Sequence, residues 1–387
     1  MFEYFPKNYT WSFSAVRAVD TSGAVSEVDE ACRTLQEASL RSDRTAQEAW
    51  YTSWKKLGER IAALAADNER AGQLFSAGRK YRRANIYFSM AERMLPHPHA
   101  WRDEAFQKAL SAFEKAVRFR KEPVEWVRVP FEGKYIPALF SKAPGAGPAP
   151  CMVHFNGFDA VKEWVYFLSA EEFRQRGISV LFIDQPGTGE ALCSLKMYGR
   201  ADTEVPAAAC VDYLQTRADV DPNRIGVIGI SLGGYYAPRA AAFEKRFKCC
   251  VAWGANWNFG ERSKLRLAGT GGEMAQPDYA NRLMWVFGKE TLDEAVAAAK
   301  GLTLEGVADK ITCPLLVVHG ENDRIIPLWE AEKTIEAAVN SPNRRLKVFT
   351  FAEGGEDHCQ LDNHSLGVDY ITDWVAEVLG GDVSGVG

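Results

Sequence analysis

"GVIGISLGGYY", residues 226–236, decides how the rest of the chain is read. The run Ile225–Ile230 is apolar and bounded like a buried strand, and it stops at Ser231. Small residues follow, "LGGYYAPRAAA", and can open a helix. Gly229-Ile230-Ser231-Leu232-Gly233 therefore has the form G-x-S-x-G in a strand–turn–helix setting. A sharp turn of this kind lifts a serine hydroxyl above a sheet, and side chains at the flanking glycines would strike neighbouring backbone. The alternative is a polar residue that merely ends a strand.

Working outward, the chain from Pro123 onward has one grammar. "VEWVRVPF" and "YIPALFSK" read as a β-hairpin, followed by the turn-rich "APGAGPAP". Then "CMVHF", "ISVLFID", "RIGVIGI", "CCVAWG", "PLLVVHG" and "LKVFTF" alternate with helical stretches. Short continuous apolar strands separated by helices imply an α/β fold, a mostly parallel sheet covered on both faces. In such sheets reactive groups gather beyond the carboxyl ends of the strands.

Up to residue 122 the grammar is helical. Val28, Ala31, Cys32 and Leu35 share a stripe, as do Trp50, Trp54, Leu57, Ile61 and Leu64. A third helix carries Leu74, Tyr81, Ala84, Phe88 and Leu95, and a fourth, beyond "LPHPHA", carries Phe106, Leu110, Phe113 and Val117. Thr45 and Glu48 in "TAQEAW" have the spacing of a capping box. The expected organisation is a helical cap domain over 1–122, a catalytic domain over 123–380 with a lid segment at 254–300, and a flexible tail at 381–387.

Composition narrows the function classes. A net charge of −5 argues against a nucleic-acid partner. No apolar run approaches the roughly 20 residues needed to span a bilayer, and no signal peptide is evident at the start, so a cytoplasmic location is expected. The eight cysteines include no C-x-x-C pair and read as reduced thiols. The six histidines lack ligand spacing, and no G-x-G-x-x-G closes a strand, so neither metal nor cofactor is expected.

A serine hydroxyl needs a base to be a useful nucleophile. Asp323 follows "PLLVVHG" and His358 follows "LKVFTF". Ser231, Asp323 and His358 each lie beyond a separate predicted strand, in an order known for serine nucleophiles with this elbow. His358 would take the serine proton, and Asp323 would orient and stabilise the imidazole. His364 and Glu321 are the rivals for these two places, and His319 reads as a core histidine. The backbone N–H groups of Leu232 and of Phe158, after Gly157 in "HFNGFDAVKEW", are placed to face a developing oxyanion. Asp159 and Glu163 either brace that loop, touch substrate or are surface charges.

With these residues located, the chain resembles the α/β-hydrolases. Within them it is similar to the group containing 2,6-dihydroxypseudooxynicotine hydrolase and the fungal hydrolases that shorten polyketide chains. The resemblance rests on the N-terminal helices including "RKYRRANIYF", on "NGFDAVKE", on "DQPGTGE" at Asp184–Glu190, and on "GISLGG" and "GGEDHC". It implies an α/β-hydrolase fold with an N-terminal helical cap, and hydrolysis of a carbon–carbon bond beside a ketone in an aromatic or polyketide-like small molecule. It also implies an acidic residue after the strand that follows the nucleophile helix. Glu261 stands there, either as proton donor or substrate contact or as a solvated charge. Tyr81, Tyr87, Trp253, Trp257 and Trp285 would suit a flat substrate, or else pack core. A homodimer through the helical region is compatible with the resemblance. The competing readings are a carboxylesterase or lactonase with the same triad, and a non-catalytic scaffold of this fold that binds a regulator.

Overall fold

Each apolar run ends against residues that cannot extend it, and the runs pair into one sheet. The computed structural model describes residues 2–273 and 278–385. Its strands are β1 (Val124–Phe131), β2 (Lys134–Ser141), β3 (Ala149–Phe155), β4 (Ser179–Ile183), β5 (Val220–Ile230), β6 (Cys250–Trp253), β7 (Leu315–Gly320) and β8 (Arg344–Phe349). Their order is β1-β2-β4-β3-β5-β6-β7-β8. β1 and β2 form the hairpin, turning at Glu132 and Gly133, both at positive φ as a tight two-residue turn demands. β2 meets β4 antiparallel, and the remaining neighbours are parallel. β8 is an edge strand carrying Arg344, Arg345 and Lys347, charges that discourage pairing with another chain.

The chain passes from β3 to β4 on one side and then returns to β5 on the other. β3 and β5 are neighbours, with Phe155 opposite Gly229. The crevice beyond such a reversal is where ligands bind in open α/β sheets. This register brings the loop after β3 and the turn after β5 side by side.

The chain divides into two compact units. One comprises Met1–Pro123 with Glu273–Arg282, and the other Val124–Gly272 with Leu283–Gly387. The first contains α1 (Tyr9–Thr21), α2 (Val25–Arg33), α3 (Arg44–Arg70), α4 (Leu74–Arg93) and α5 (Ala100–Arg120). α3, α4 and α5 pack in succession. Trp50 lies between Trp11, at 4.8 Å between ring centres, and Trp54, at 5.3 Å. The Trp50 indole N–H donates to the Met90 carbonyl at 2.7 Å, so its polar edge is satisfied within the core. A side chain at Gly58 would come within 2.8 Å of the Phe88 ring, and its absence lets α3 and α4 approach.

Three helical expectations need correction. Leu64 is 45% exposed and Leu74 43%, so neither belongs to its stripe; Ala65 is buried on α3 instead. The capping box at Thr45 does not form, because α3 starts two residues earlier than a Thr45 cap requires and the Asp43 carboxylate accepts from the Ala46 N–H. A true capping box closes elsewhere, between Thr291 and Glu294.

The second unit adds α6 (Lys162–Gln175), α7 (Gly189–Cys193), α8 (Glu204–Gln215), α9 (Gly233–Phe243) and α10 (Phe259–Leu267). Further on come α11 (Tyr279–Phe287), α12 (Leu292–Ala299), α13 (Leu328–Ala337) and α14 (His364–Leu379). α6, α8, α9, α13 and α14 pack on the sheet. The expected lid at 254–300 corresponds to α10, α11 and α12, and its residues 274–277 lie outside the described residues. Residues 381–385 of the expected tail carry no helix or strand, and 386–387 lie outside the description. No described helix is long and apolar enough to cross a membrane.

Trp54 is fully buried and touches both Trp50 and Tyr87. Trp54→Ala is expected to cost about 3–5 kcal/mol, whereas Leu64→Ala, one helix face away, should cost under about 0.5 kcal/mol. Urea unfolding followed by circular dichroism measures both.

Candidate active site

The turn after β5 is built by steric necessity. Ser231 has φ +59°, a strained value for a residue with a side chain. Its N–H donates to the Trp253 carbonyl at 2.7 Å, and its own carbonyl accepts from Gly234 N–H at 2.7 Å and the Asn256 amide at 2.8 Å. A Cβ at residue 229 would lie 2.1 Å from the Gly233 carbonyl oxygen, so only glycine permits the bend. Across the β3–β5 pairing, a Cβ at residue 157 would lie 2.9 Å from Ser231 Cβ. Gly157 thus brings the loop bearing the Phe158 amide against the serine. The Leu232 amide stands at the N-cap of α9, where helix N–H groups favour negative charge.

The loops after β7 and β8 meet this serine. The Ser231 hydroxyl is 2.9 Å from His358 Nε2, and His358 Nδ1 is 2.7 Å from Asp323 Oδ2. A carboxylate only accepts, so Nδ1 carries the hydrogen and Nε2 is left to accept from the serine. Asp323 Oδ1 accepts from the Ile325 and Ile326 N–H groups, each at 2.8 Å. Burial works to raise the Asp323 pKa, but His358 outweighs it and holds the carboxyl below its usual range. Burial likewise pulls His358 down, yet the Asp323 charge and hydrogen bond leave it well above the usual imidazole value.

The rivals are placed elsewhere. Glu321 is exposed and accepts from the Phe351 N–H. The His364 ring sits edge-on to Trp164 and Trp253. Of the two readings of Glu261, the structure matches the solvated charge: its carboxylate is 59% exposed and paired with Lys264, and its N–H is capped by Asn258 at the start of α10. Asp159 is half-buried on the loop after β3. Tyr81 and Tyr87 spend their hydroxyls inside the helical unit, on Glu69 at 2.8 Å and Glu27 at 2.5 Å. Trp253 and Trp257 are buried, and the Trp253 indole N–H donates to Gln360 at 2.7 Å.

Several neighbours were not singled out from sequence for this site. His319 is fully buried, donates from Nε2 to the Ile326 carbonyl at 2.8 Å, and lies 3.6 Å from Asp323 Oδ2. Burial holds its pKa below the usual imidazole value, so it is neutral beside the ionised carboxylate. Cys359 Sγ lies 3.5 Å from His358 Nε2. Glu330, buried on α13, accepts from the Trp257 N–H at 2.7 Å and pairs with Arg262, fixing the loop after β6. Among the described residues no group of three or more His, Cys, Asp or Glu is placed to hold a metal ion.

A parallel sheet with these side chains at its carboxyl edge defines an α/β-hydrolase. The chain belongs to the prolyl oligopeptidase family, whose sequence profile matches residues 164–382. It is similar to the 2,6-dihydropseudooxynicotine hydrolase of Paenarthrobacter nicotinovorans, with 27% identity over 345 residues, 87% of this chain and 86% of that protein. It is also similar to two fungal proteins, alpha/beta hydrolase xenA of Xenoacremonium sinensis and gkaG of Penicillium citrinum. The first is 28% identical over 69% of this chain and 64% of the relative, the second 32% identical over 53% and 50%. The chain therefore spans between half and two thirds of those two relatives. Among solved structures, a 2,6-dihydroxy-pseudo-oxynicotine hydrolase aligns with a TM-score of 0.76 at 25% identity, covering 94% of this chain and 95% of the other.

Substitution tests the elbow's steric argument. Gly229→Ala is expected to lose about 1–3 kcal/mol, seen as a lower thermal midpoint. Gly147→Ala, where nothing lies within 4 Å, should leave that midpoint unchanged.

Proposed function

We propose that this α/β-hydrolase is a serine hydrolase in which Ser231 is the nucleophile, His358 the general base and then acid, and Asp323 the residue that orients the imidazole. The observation that carries this is the continuous chain of two hydrogen bonds, 2.9 Å from Ser231 Oγ to His358 and 2.7 Å from His358 to Asp323. His358 removes the hydroxyl proton as Oγ adds to a substrate carbonyl. The resulting oxyanion is met by the Leu232 and Phe158 N–H groups, each donor of this kind contributing a factor of about 10²–10³ in rate. The bond to the leaving group breaks, His358 returns the proton to it, and water cleaves the acyl-serine by the reverse sequence.

The substrate class is a ketone whose carbon–carbon bond is hydrolysed, in an aromatic or polyketide-like small molecule. Supporting it are the near full-length similarity to 2,6-dihydropseudooxynicotine hydrolase and the partial similarity to the two fungal hydrolases. The leaving group is then an enolate or aryl carbanion, and His358 must protonate carbon. One observation favours a second reading, a carboxylesterase or lactonase. Glu261, the extra acid implied by the resemblance, faces solvent, and an alkoxide leaves without such help.

A fluorophosphonate probe is expected to label the wild type and not Ser231→Ala. Turnover should fall by roughly 10³–10⁶ in Ser231→Ala and His358→Ala. Paired assays on a β-diketone and on p-nitrophenyl esters divide the two readings, and ester turnover without ketone cleavage selects the second. An unlabelled wild type would remove the nucleophile and favour a binding scaffold.

Only neutral His358 accepts the serine proton, and its pKa in the fold is raised. Turnover (kcat/KM) should therefore be lost as pH falls, with a midpoint above the ordinary imidazole value of about 6.5. A pH–rate profile between pH 5 and 9 measures it.

A further inference from the structure

Beside the turn that carries Ser231, the sheet edge hides an ion cluster to which the proposed reaction gives no part. Lys162, the first residue of α6, is 1% exposed. Its Nζ is 2.7 Å from Glu163 Oε1, 3.0 Å from Asp184 Oδ2 and 3.0 Å from Glu190 Oε2. Taking such ions out of water costs several kcal/mol each, and an apolar residue of similar volume often holds a fold as well. What charged groups add is direction, because their hydrogen bonds are short and geometrically specific.

The direction here is toward the loop between β3 and α6. Asp184 Oδ1 accepts from the Lys162 backbone N–H at 2.9 Å and from the Asn156 side-chain amide at 2.8 Å. Its Oδ2 accepts from Lys162 Nζ at 3.0 Å and from the Glu190 N–H at 2.8 Å. Gln185 completes the attachment, accepting from the Asn156 N–H at 3.0 Å and donating to the Asn156 carbonyl at 2.9 Å. Residues 156 and 162 are thus both fastened to 184–185. Between them run Gly157, pressed against Ser231, and the amide of Phe158. A Cβ at residue 189 would lie 2.2 Å from the Asp184 carboxyl, so the turn after β4 leaves room for that carboxylate only through a glycine.

We infer that Lys162 and Asp184 are positioning residues that hold the Phe158 amide at the height of the developing oxyanion above Ser231. The inference rests on the serine mechanism proposed above. Neither side chain touches substrate. They act by fixing both ends of a short loop, so that its middle cannot withdraw as charge forms. Burial pushes Glu163 up to about 7 against the pull of Lys162, which lowers the excess of negative charge around the ammonium near neutrality.

The test uses the full chain with Lys162→Met and Asp184→Asn, which keep side-chain volume and remove the ion pair. p-Nitrophenyl butyrate turnover and the rate of fluorophosphonate labelling are measured beside thermal melts. For each variant that melts within about 10 °C of wild type, kcat and the labelling rate should fall 10–100-fold, with KM within about threefold. That range sits at or below the loss of one oxyanion donor. A folded variant with kcat and labelling within twofold of a labelled wild type overturns the inference. So does failure of both variants to fold, which would assign the cluster to stability alone. A wild type that neither labels nor turns over the ester overturns the serine mechanism itself, a different result.

Discussion

The parallel pairing of β3 with β5 governs the site. Phe155 opposite Gly229 brings Gly157 to Ser231 two residues further along each strand. Sheet hydrogen bonds set that register, and the apolar burial of both strands secures it, since a slip by one residue would turn every side chain to the opposite face. The glycines at 157 and 229 are then consequences of the pairing. Two backbones and a helix start must share a space that leaves no room for a Cβ.

Electrostatics completes what the register begins. Asp323 is a buried carboxylate held by donors on both oxygens, two backbone amides on one and His358 on the other, with neutral His319 alongside. A buried charge without such partners would shift its pKa and neutralise. The same logic recurs at Asp184, whose two oxygens take four donors. Both carboxylates stand just beyond strand ends, where loops offer free N–H groups, and each serves to immobilise a loop.

The strands were legible because continuous apolar runs of five to seven residues have few other readings. Ser231, Asp323 and His358 were legible because each follows such a run. What sequence left out depends on contacts between distant segments. Lys162 lies in "NGFDAVKE" and Asp184 in "DQPGTGE", yet nothing local says that one ammonium will face three carboxylates. His319 lies in a strand end that reads as plain core, and only the fold sets it beside Asp323. Glu261 sits in the expected segment, but the Asn258 cap begins a helix that turns it outward. At α3, Asp43 and Thr45 are both good caps two residues apart, and spacing does not rank them. Leu64 failed for a similar reason, since Ala65 occupies the buried stripe beside it.

The three hydrogen-bonded side chains hang from unequal supports. Ser231 follows a strand with a neighbour on each side, whereas His358 follows β8, which is bonded to β7 alone and ends the sheet. Marginal strands are the first to open in local fluctuations. Releasing β8 breaks pairing along one side only, whereas releasing β5 breaks it along two. The middle member of the Ser231–His358–Asp323 hydrogen-bond chain thus hangs from the border of the sheet, and its hydroxyl partner from the interior.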